Sequence, residues 1–368
     1  MSNKNFEVFF DCGSSKIRVG AFSKENEKNN FYRETSTLFT HDTINYELQK
    51  VISSIEENTK EYLNDVNLMI DDKSILSVGI SISKKLDGSQ IKKGDIQFLI
   101  QDAKQQVLKT YTNQSILHII VQNYKIDNTE YIFLPRDINC NWISLDILFI
   151  CIPKKIIEYY RKIFLELDIS VNQFFCSSYA KSINYKNNFA SDESMLFIDL
   201  GFNKTSIICY NKNQIIFLDI LPIGSNHITK DISKILKTSW QDAENTKLHF
   251  DSSSIFLNQK KIPPNLLQSI IASRIEEILK LCDQSIKLNL KEFDDFKMIL
   301  IGEGSKILNK KCIENIFFPS DIDFLEESIE NICESGLKLS TGLNKQEVVM
   351  IPKKQIKQGF FEKLFLNF

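Results

Sequence analysis

The chain has 368 residues, 43% hydrophobic and 25% charged, with a formal net charge of −2 at pH 7. That is length enough for two or more domains with filled cores, in the composition range of soluble globular proteins. It lacks the basic excess that neutralises nucleic-acid phosphates, which argues against a general nucleic-acid binder. Eight cysteines, at 12, 140, 151, 176, 209, 282, 312 and 333, form no Cys-x-x-Cys pair and lie mostly in apolar runs, so they read as reduced core thiols. Histidines 41, 118, 227 and 249 have no metal-ligand spacing, and His118, inside Ile116–Ile120, reads as a core residue. The first residues lead straight into a strand without a secretory signal, and no apolar run approaches the ~20 residues of a membrane span. The expected compartment is the cytoplasm.

In chain order, Val8–Val19 reads as a hairpin: an apolar run ending in Asp11, a turn through Gly13, Ser14 and Ser15, then Lys16 and alternating Ile17 and Val19. Backbone N–H groups, serine hydroxyls and Lys16 at such a turn are suited to a phosphate. Tyr46–Val66 is expected to be one helix, because Leu48, Val51, Ile52, Ile55, Tyr62, Leu63 and Val66 fall mostly at three- and four-residue steps. Ser74–Ile82 reads as a buried strand, Asp87-Gly88 as a turn, and Asp95–Leu108 as a helix. Strands at Ser115–Ile126 and Trp142–Ile152, a helix Pro153–Leu167 and a strand Ile169–Phe175 follow. Residues of about 83–160 thus read as an α/β insertion.

The opening pattern then returns. Met195–Tyr210 carries an apolar strand, Asp199, Gly201, Asn203, Lys204, Thr205 and a second apolar strand. A repeated hairpin says more than either copy, since two domains that each present an Asp-x-Gly turn can clamp one phosphate chain. Asn213–Ile220 is a further strand, and Gly224 and Ser225 open a helix over Ile228–Leu236, a second place for an anion. A short helix Ser239–Phe250, a hairpin Ser252–Lys261 and a long helix Pro263–Leu288 come next. The strand Phe296–Ile301 runs into Gly302-Glu303-Gly304-Ser305, a turn that lets backbone approach a ligand. After Gly342 a polar linker precedes a terminal segment in which Phe360, Phe361, Leu364, Phe365 and Phe368 share an arc of about 140° at helical spacing. A reversible interfacial membrane helix is expected there.

The order Asp-x-Gly-Ser-Ser-Lys, Asp-x-Gly-x-x-x-Thr and strand–Gly-x-Gly-Ser resembles the actin-like ATPase superfamily. The insertion, the stretch Leu221–Ile232, the segment Asp242-Ala243-Glu244-Asn245-Thr246-Lys247 and the terminal helix narrow the resemblance to the FtsA family of division proteins. The resemblance implies an α/β, two-lobed, actin-like (ribonuclease H-like) fold with a 1C insertion subdomain and a C-terminal amphipathic helix. The boundaries it implies are 1–82 and 161–192 for subdomain 1A and 83–160 for 1C. Lobe 2 would be 193–343, with 2B at about 230–295, followed by a linker 344–358 and the membrane helix 359–368.

It also implies ATP and Mg²⁺ as cofactors. Asp11 and Asp199 would hold the metal through waters, with Gly13, Ser14, Ser15, Lys16, Gly201, Asn203, Lys204, Thr205 and Gly224 around the phosphates. Glu244 and Lys247 would contact ribose and base, and Gly302, Gly304 and Ser305 would line the adenosine pocket. Implied partners are the FtsZ C-terminal tail, further copies of the chain in a filament, other division proteins through 1C, and the cytoplasmic membrane surface at the division site. Phe202 and Asn203 stand where the family usually has glycines, and Glu303 stands where a glycine is common. No residue presents itself as a base for an attacking water, so ATP binding is implied and turnover is not assigned. A pilus-assembly adaptor of the PilM type and a small-molecule kinase of the same superfamily are the alternatives.

Overall fold

The computed structural model describes residues 5–35, 43–135, 137–190, 192–249, 263–290, 296–308, 322–342 and 347–348. Two five-stranded sheets of identical topology make the body. The first has the order β3-β2-β1-β4-β9, from β1 (Phe6–Cys12), β2 (Ile17–Ser23), β3 (Phe31–Glu34), β4 (Asp65–Ile70) and β9 (Ser170–Cys176). The second has the order β12-β11-β10-β13-β14, from β10 (Ser194–Leu200), β11 (Thr205–Asn211), β12 (Gln214–Leu221), β13 (Phe296–Ile301) and β14 (Ile322–Phe324). In each, three strands run as an antiparallel meander and two add in parallel to the first. The repeated hairpin is therefore the start of a repeated domain.

Strand alternation assigns the faces. In the first sheet Phe9 and Met69 pack under α8 (Ile329–Ser340), so closely that a Cβ on Gly336 would stand 2.6 Å from Phe9 Cδ1. Phe10 points the other way, edge-on to Phe164 of α3 (Lys154–Leu165) at 5.3 Å between ring centroids. In the second sheet Leu196, Ile198, Leu200, Ile207 and Cys209 share a core with α5 (Ser225–Leu236), α6 (Trp240–Leu248) and α7 (Pro264–Asn289). Its opposite face, with Met195, Phe197, Ile208 and Tyr210, joins the core of the first lobe. Between the sheets lies α4 (Ser177–Lys186), buried from Ser177 to Tyr185 and touching strands of both.

The stretch read as one helix divides. Helix α1 (Ile44–Thr59) stops at Lys60, which is left-handed at φ 59° and donates its N–H to the Glu56 carbonyl. Leu63 lies partly buried in the connector, and Val66 belongs to β4, the strand beside β1. The segment read as a strand at Ser74–Ile82 belongs not to the first lobe but to a third sheet, β5-β8-β6-β7. That sheet is built from β5 (Leu76–Lys85), β6 (Gln114–Ile126), β7 (Thr129–Tyr131) and β8 (Trp142–Pro153), with α2 (Lys93–Thr110) on one face. It starts at Leu76 rather than 83 and ends at Pro153, and α3 carries the chain back to β9. The sequence after Gly302 forms a 3₁₀ turn, Glu303–Ile307. The seven described cysteines are free and buried; Cys312, the hairpin read at Ser252–Lys261, the linker apart from residues 347–348, and the terminal helix lie outside the described residues. No described helix is long and apolar enough to cross a membrane.

Candidate functional site

The two turns that close β1–β2 and β10–β11 are built alike. Gly13 N–H donates to the Lys16 carbonyl at 3.1 Å, and Gly201 N–H donates to the Lys204 carbonyl at 2.9 Å. The N–H groups of Ser14, Ser15 and Lys16 have no acceptor among the described residues, which leaves the first turn as an anion-accepting concavity. Between the turns lies a cleft of about 370 Å³. It receives Asp11, Gly13, Ser14, Ser15 and Lys16 from one lobe and Asp199, Gly201, Glu244, Lys247, Gly302 and Gly304 from the other.

Five anticipated residues do not line it. Thr205 is buried and donates its hydroxyl to the Ile223 carbonyl at 2.8 Å; Ser305 donates to the Gly302 carbonyl at 2.7 Å. Asn203 accepts from Asn226 at 2.9 Å, and Lys204 is buried against Asp71. Gly224 is needed for chain packing, since a Cβ there would stand 2.6 Å from the carbonyl oxygens of Gly201 and Phe202. Gly302 is a backbone requirement too: its φ is +89°, and a Cβ would meet the Leu200 carbonyl at 2.6 Å. Phe202 does not obstruct the turn, because its ring lies edge-on to Trp240 and forms part of the wall.

Charge dominates the cleft, and every carboxylate lining it has a basic partner. Arg18, directly opposite Asp11 in the hairpin register, lies 3.2 Å from Asp11 Oδ2 and 2.7 Å from Glu303 Oε1. Lys16 adds a second contact to Glu303 at 3.2 Å. Lys181 of α4 bridges Asp199 Oδ2 at 2.8 Å and Glu327 Oε1 at 3.2 Å. Lys204 reaches Asp71 Oδ1 at 2.6 Å, and Lys247 reaches Glu244 Oε2 at 2.8 Å. Ser177, the first residue of α4, donates to Asp11 Oδ1 at 2.6 Å, and Gly302 N–H donates to Glu327 Oε2 at 2.8 Å. The contacts of Arg18 and Lys16 with Glu303, of Lys181 with Asp199 and of Lys204 with Asp71 all cross from one lobe to the other.

The titration of these groups follows from that pairing. Burial alone would lower Lys181, but Asp199 and Glu327 reverse this and hold its ammonium well above the ordinary lysine value. Burial pushes Asp199 up, and Lys181 with Lys204 overcomes it, leaving the carboxylate below its usual value. For Glu327 burial wins and the pKa is raised, Lys181 offsetting only part. Sequence reasoning missed Arg18, Asp71, Ser177, Lys181 and Glu327. Arg18 was within reach, as the cross-strand partner of Asp11 once the turn is placed. A lone lysine in the otherwise uncharged stretch Ser177–Ser182 was the one signal for Lys181.

An Mg²⁺ ion held by Asp11 and Asp199 does not fit this donor set. Mg²⁺ keeps several waters and seeks ionised oxygens to face them. Here both carboxylates already touch a buried cation, Arg18 or Lys181, and Asp11 also accepts from Ser177. The described residues hold no cluster of three or more metal-ligating side chains.

Duplicated sheets of order 3-2-1-4-5, facing Asp-x-Gly turns and a cleft on the seam define an actin-like protein, a class whose interlobe cleft binds nucleotide. A solved PilM–PilN type IV pilus biogenesis complex shares the fold, with a TM-score of 0.61 at 11% identity, covering 92% of this chain and 96% of that one. The model described as "Cell division protein FtsA" matches residues 196–330, and that described as "SHS2 domain inserted in FTSA" matches residues 73–151, between them more than half of the chain. FtsA of Buchnera aphidicola from Acyrthosiphon pisum is 26% identical, over 86% of this chain and 85% of its own length. FtsA of Streptococcus pneumoniae serotype 2 is 23% identical, over 84% and 72%. The chain belongs to the FtsA family of cell-division proteins.

Proposed function

We propose that this protein binds ATP in the interlobe cleft and, as a head-to-tail polymer, ties the FtsZ ring to the cytoplasmic face of the membrane at the division site. The observation that carries the reading is the pair of matching Asp-x-Gly turns joined across the cleft by ion pairs from both lobes. A ligand that seats between the turns changes how the lobes meet, and so couples nucleotide to polymer contacts. Attachment is assigned to Phe360, Phe361, Leu364, Phe365 and Phe368, and the FtsZ tail to the subdomain spanning about 230–295. Burying each large apolar side chain contributes at most ~1.5–3 kcal/mol before ordering costs. One tail therefore binds reversibly, and firm attachment needs several tails carried on one polymer.

The test is vesicle co-sedimentation of the full chain with a fluorescent FtsZ tail peptide, with and without residues 359–368. The peptide is expected in the pellet only when the segment is present; unchanged pelleting of the truncated chain overturns the tether. A pilus-assembly adaptor is the second reading, prompted by the shared fold. The sequence relatives favour the division role.

A further inference from the structure

The acidic positions of the cleft are occupied by the protein's own cations. Lys181 Nζ sits between Asp199 and Glu327, and the Arg18 guanidinium sits between Asp11 and Glu303. Both side chains are nearly buried, at 9% and 11% exposure, yet both line the cleft. An ion entering here would have to displace Lys181 from two carboxylates inside a low-dielectric site. Moving a nearly buried ammonium off its partners is costly, because it leaves desolvated charges without their counter-ions. The opposite course needs no displacement: a phosphate chain meets two fixed cations, the open N–H groups of the Ser14–Lys16 turn and Lys16 at the mouth.

We infer that this cleft takes its nucleoside phosphate without a divalent cation, the Lys181 ammonium standing where a hydrated metal ion would otherwise face Asp199. The inference rests on the nucleotide reading proposed above and goes further, making Lys181 the residue that sets the ionic form of the ligand. Lys181 also carries the requirement across the seam between the lobes, because α4 belongs to the first lobe and Asp199 to the second.

The experiment is titration of the full-length wild-type protein with ATP by calorimetry, once in excess Mg²⁺ and once in excess EDTA. Dissociation constants within about threefold of each other are expected. Binding that weakens more than roughly tenfold in EDTA overturns the inference and leaves the nucleotide reading intact. No binding under either condition overturns the nucleotide reading itself, and the inference with it. The K181A variant supplies a second arm. Freed of the ammonium, Asp199 and Glu327 become available to a metal, so binding in EDTA should fall roughly tenfold or more and Mg²⁺ should restore it. Metal-free binding by folded K181A equal to wild type overturns the assignment to Lys181. If K181A fails to fold, the wild-type pair of titrations decides.

Discussion

Glu303, standing where the family commonly has a glycine, fastens one lobe to the other through Arg18 and Lys16. Burial pushes its carboxyl up, but Arg18 and Lys16 outweigh that and hold it below the ordinary glutamate value of 4.5. It is nevertheless 44% exposed, so its ion pairs are screened and contribute no more than about 1 kcal/mol. A phosphate arriving at Lys16 has to compete with it. Glu303→Gln should therefore tighten nucleotide binding by about three- to tenfold, with a stability loss under about 1 kcal/mol, read by titration and thermal melting. Weaker binding would instead make Glu303 a ligand contact. The sign of the pH effect follows from the depressed pKa: the stabilisation is full above about 4.5 and is lost as pH falls through the folded-state value, so the variant's acid limb should be shallower.

Lys204 is a different case, buried to 1% against Asp71. Lys204→Met strands a buried carboxylate and should cost about 3–5 kcal/mol in denaturant unfolding, most of it recovered in the K204M/D71N pair. At this scale the sequence was legible where chemistry is local. Asp11, Lys16 and Asp199 announce themselves beside glycine turns. Lys204 looked like a phosphate ligand because nothing nearby in the chain hints at Asp71, 133 residues earlier, which closes over it.

At the level of elements, α4 is the piece that ties the cleft to the insertion and to Glu347. Cys176 N–H, just before the helix, donates to His118 Nε2 at 2.9 Å. That fixes the ring proton on Nδ1, which donates to Glu347 Oε1 at 2.6 Å. Glu347 itself bridges to Ile120 of β6, and Val348 N–H donates to the Ile119 carbonyl at 2.8 Å. His118 thus joins the insertion, the N-terminus of the cleft helix and the point from which the terminal segment departs. His118→Ala leaves a buried backbone N–H without an acceptor, so a loss of about 1–3 kcal/mol is expected. Nucleotide affinity should fall with it, because Ser177 and Lys181 ride on α4. Unchanged affinity in a folded H118A variant would show that the histidine is only a core filler, as its apolar surroundings suggested. The division of Tyr46–Val66 was hidden for a related reason. Apolar spacing continues past Thr59 by accident, while Lys60, which stops the helix, is a residue type with no local signature for a left-handed turn.

On the scale of the whole molecule, the duplicated topology was legible because each copy keeps its hairpin and its Asp-x-Gly turn. The edges of the insertion were not, because β5 is as apolar as a strand of the first lobe and only its pairing with β8 places it elsewhere. That pairing sets the insertion astride the seam. It leaves the first lobe between β4 and α3, yet ties itself to β12, the edge strand of the second sheet. Gln122 Nε2 donates to the carbonyls of Ile215 and Ile216 at 2.9 and 2.7 Å, and Ser77 Oγ donates to that of Leu218 at 2.5 Å. Gln214 Nε2 returns a bond to Asn123 Oδ1 at 2.8 Å. Side chains thereby occupy acceptors that an open sheet edge would offer to another chain, and the two lobes gain a brace through the insertion. Each such bond contributes about 0.5–1.5 kcal/mol net, so losing the three donated by Gln122 and Ser77 should weaken the brace by about 2–4 kcal/mol. In the S77A/Q122A variant, amides of β11 and β12 should exchange with solvent at least tenfold faster, while those of α2 and β8, held by the insertion's own core, keep their protection. Because the brace limits how far the lobes separate, the same variant should release nucleotide faster at unchanged association rate. Unaltered exchange along β12 would mean that the insertion only rests on the second lobe, leaving the ion pairs of the cleft to hold the lobes together.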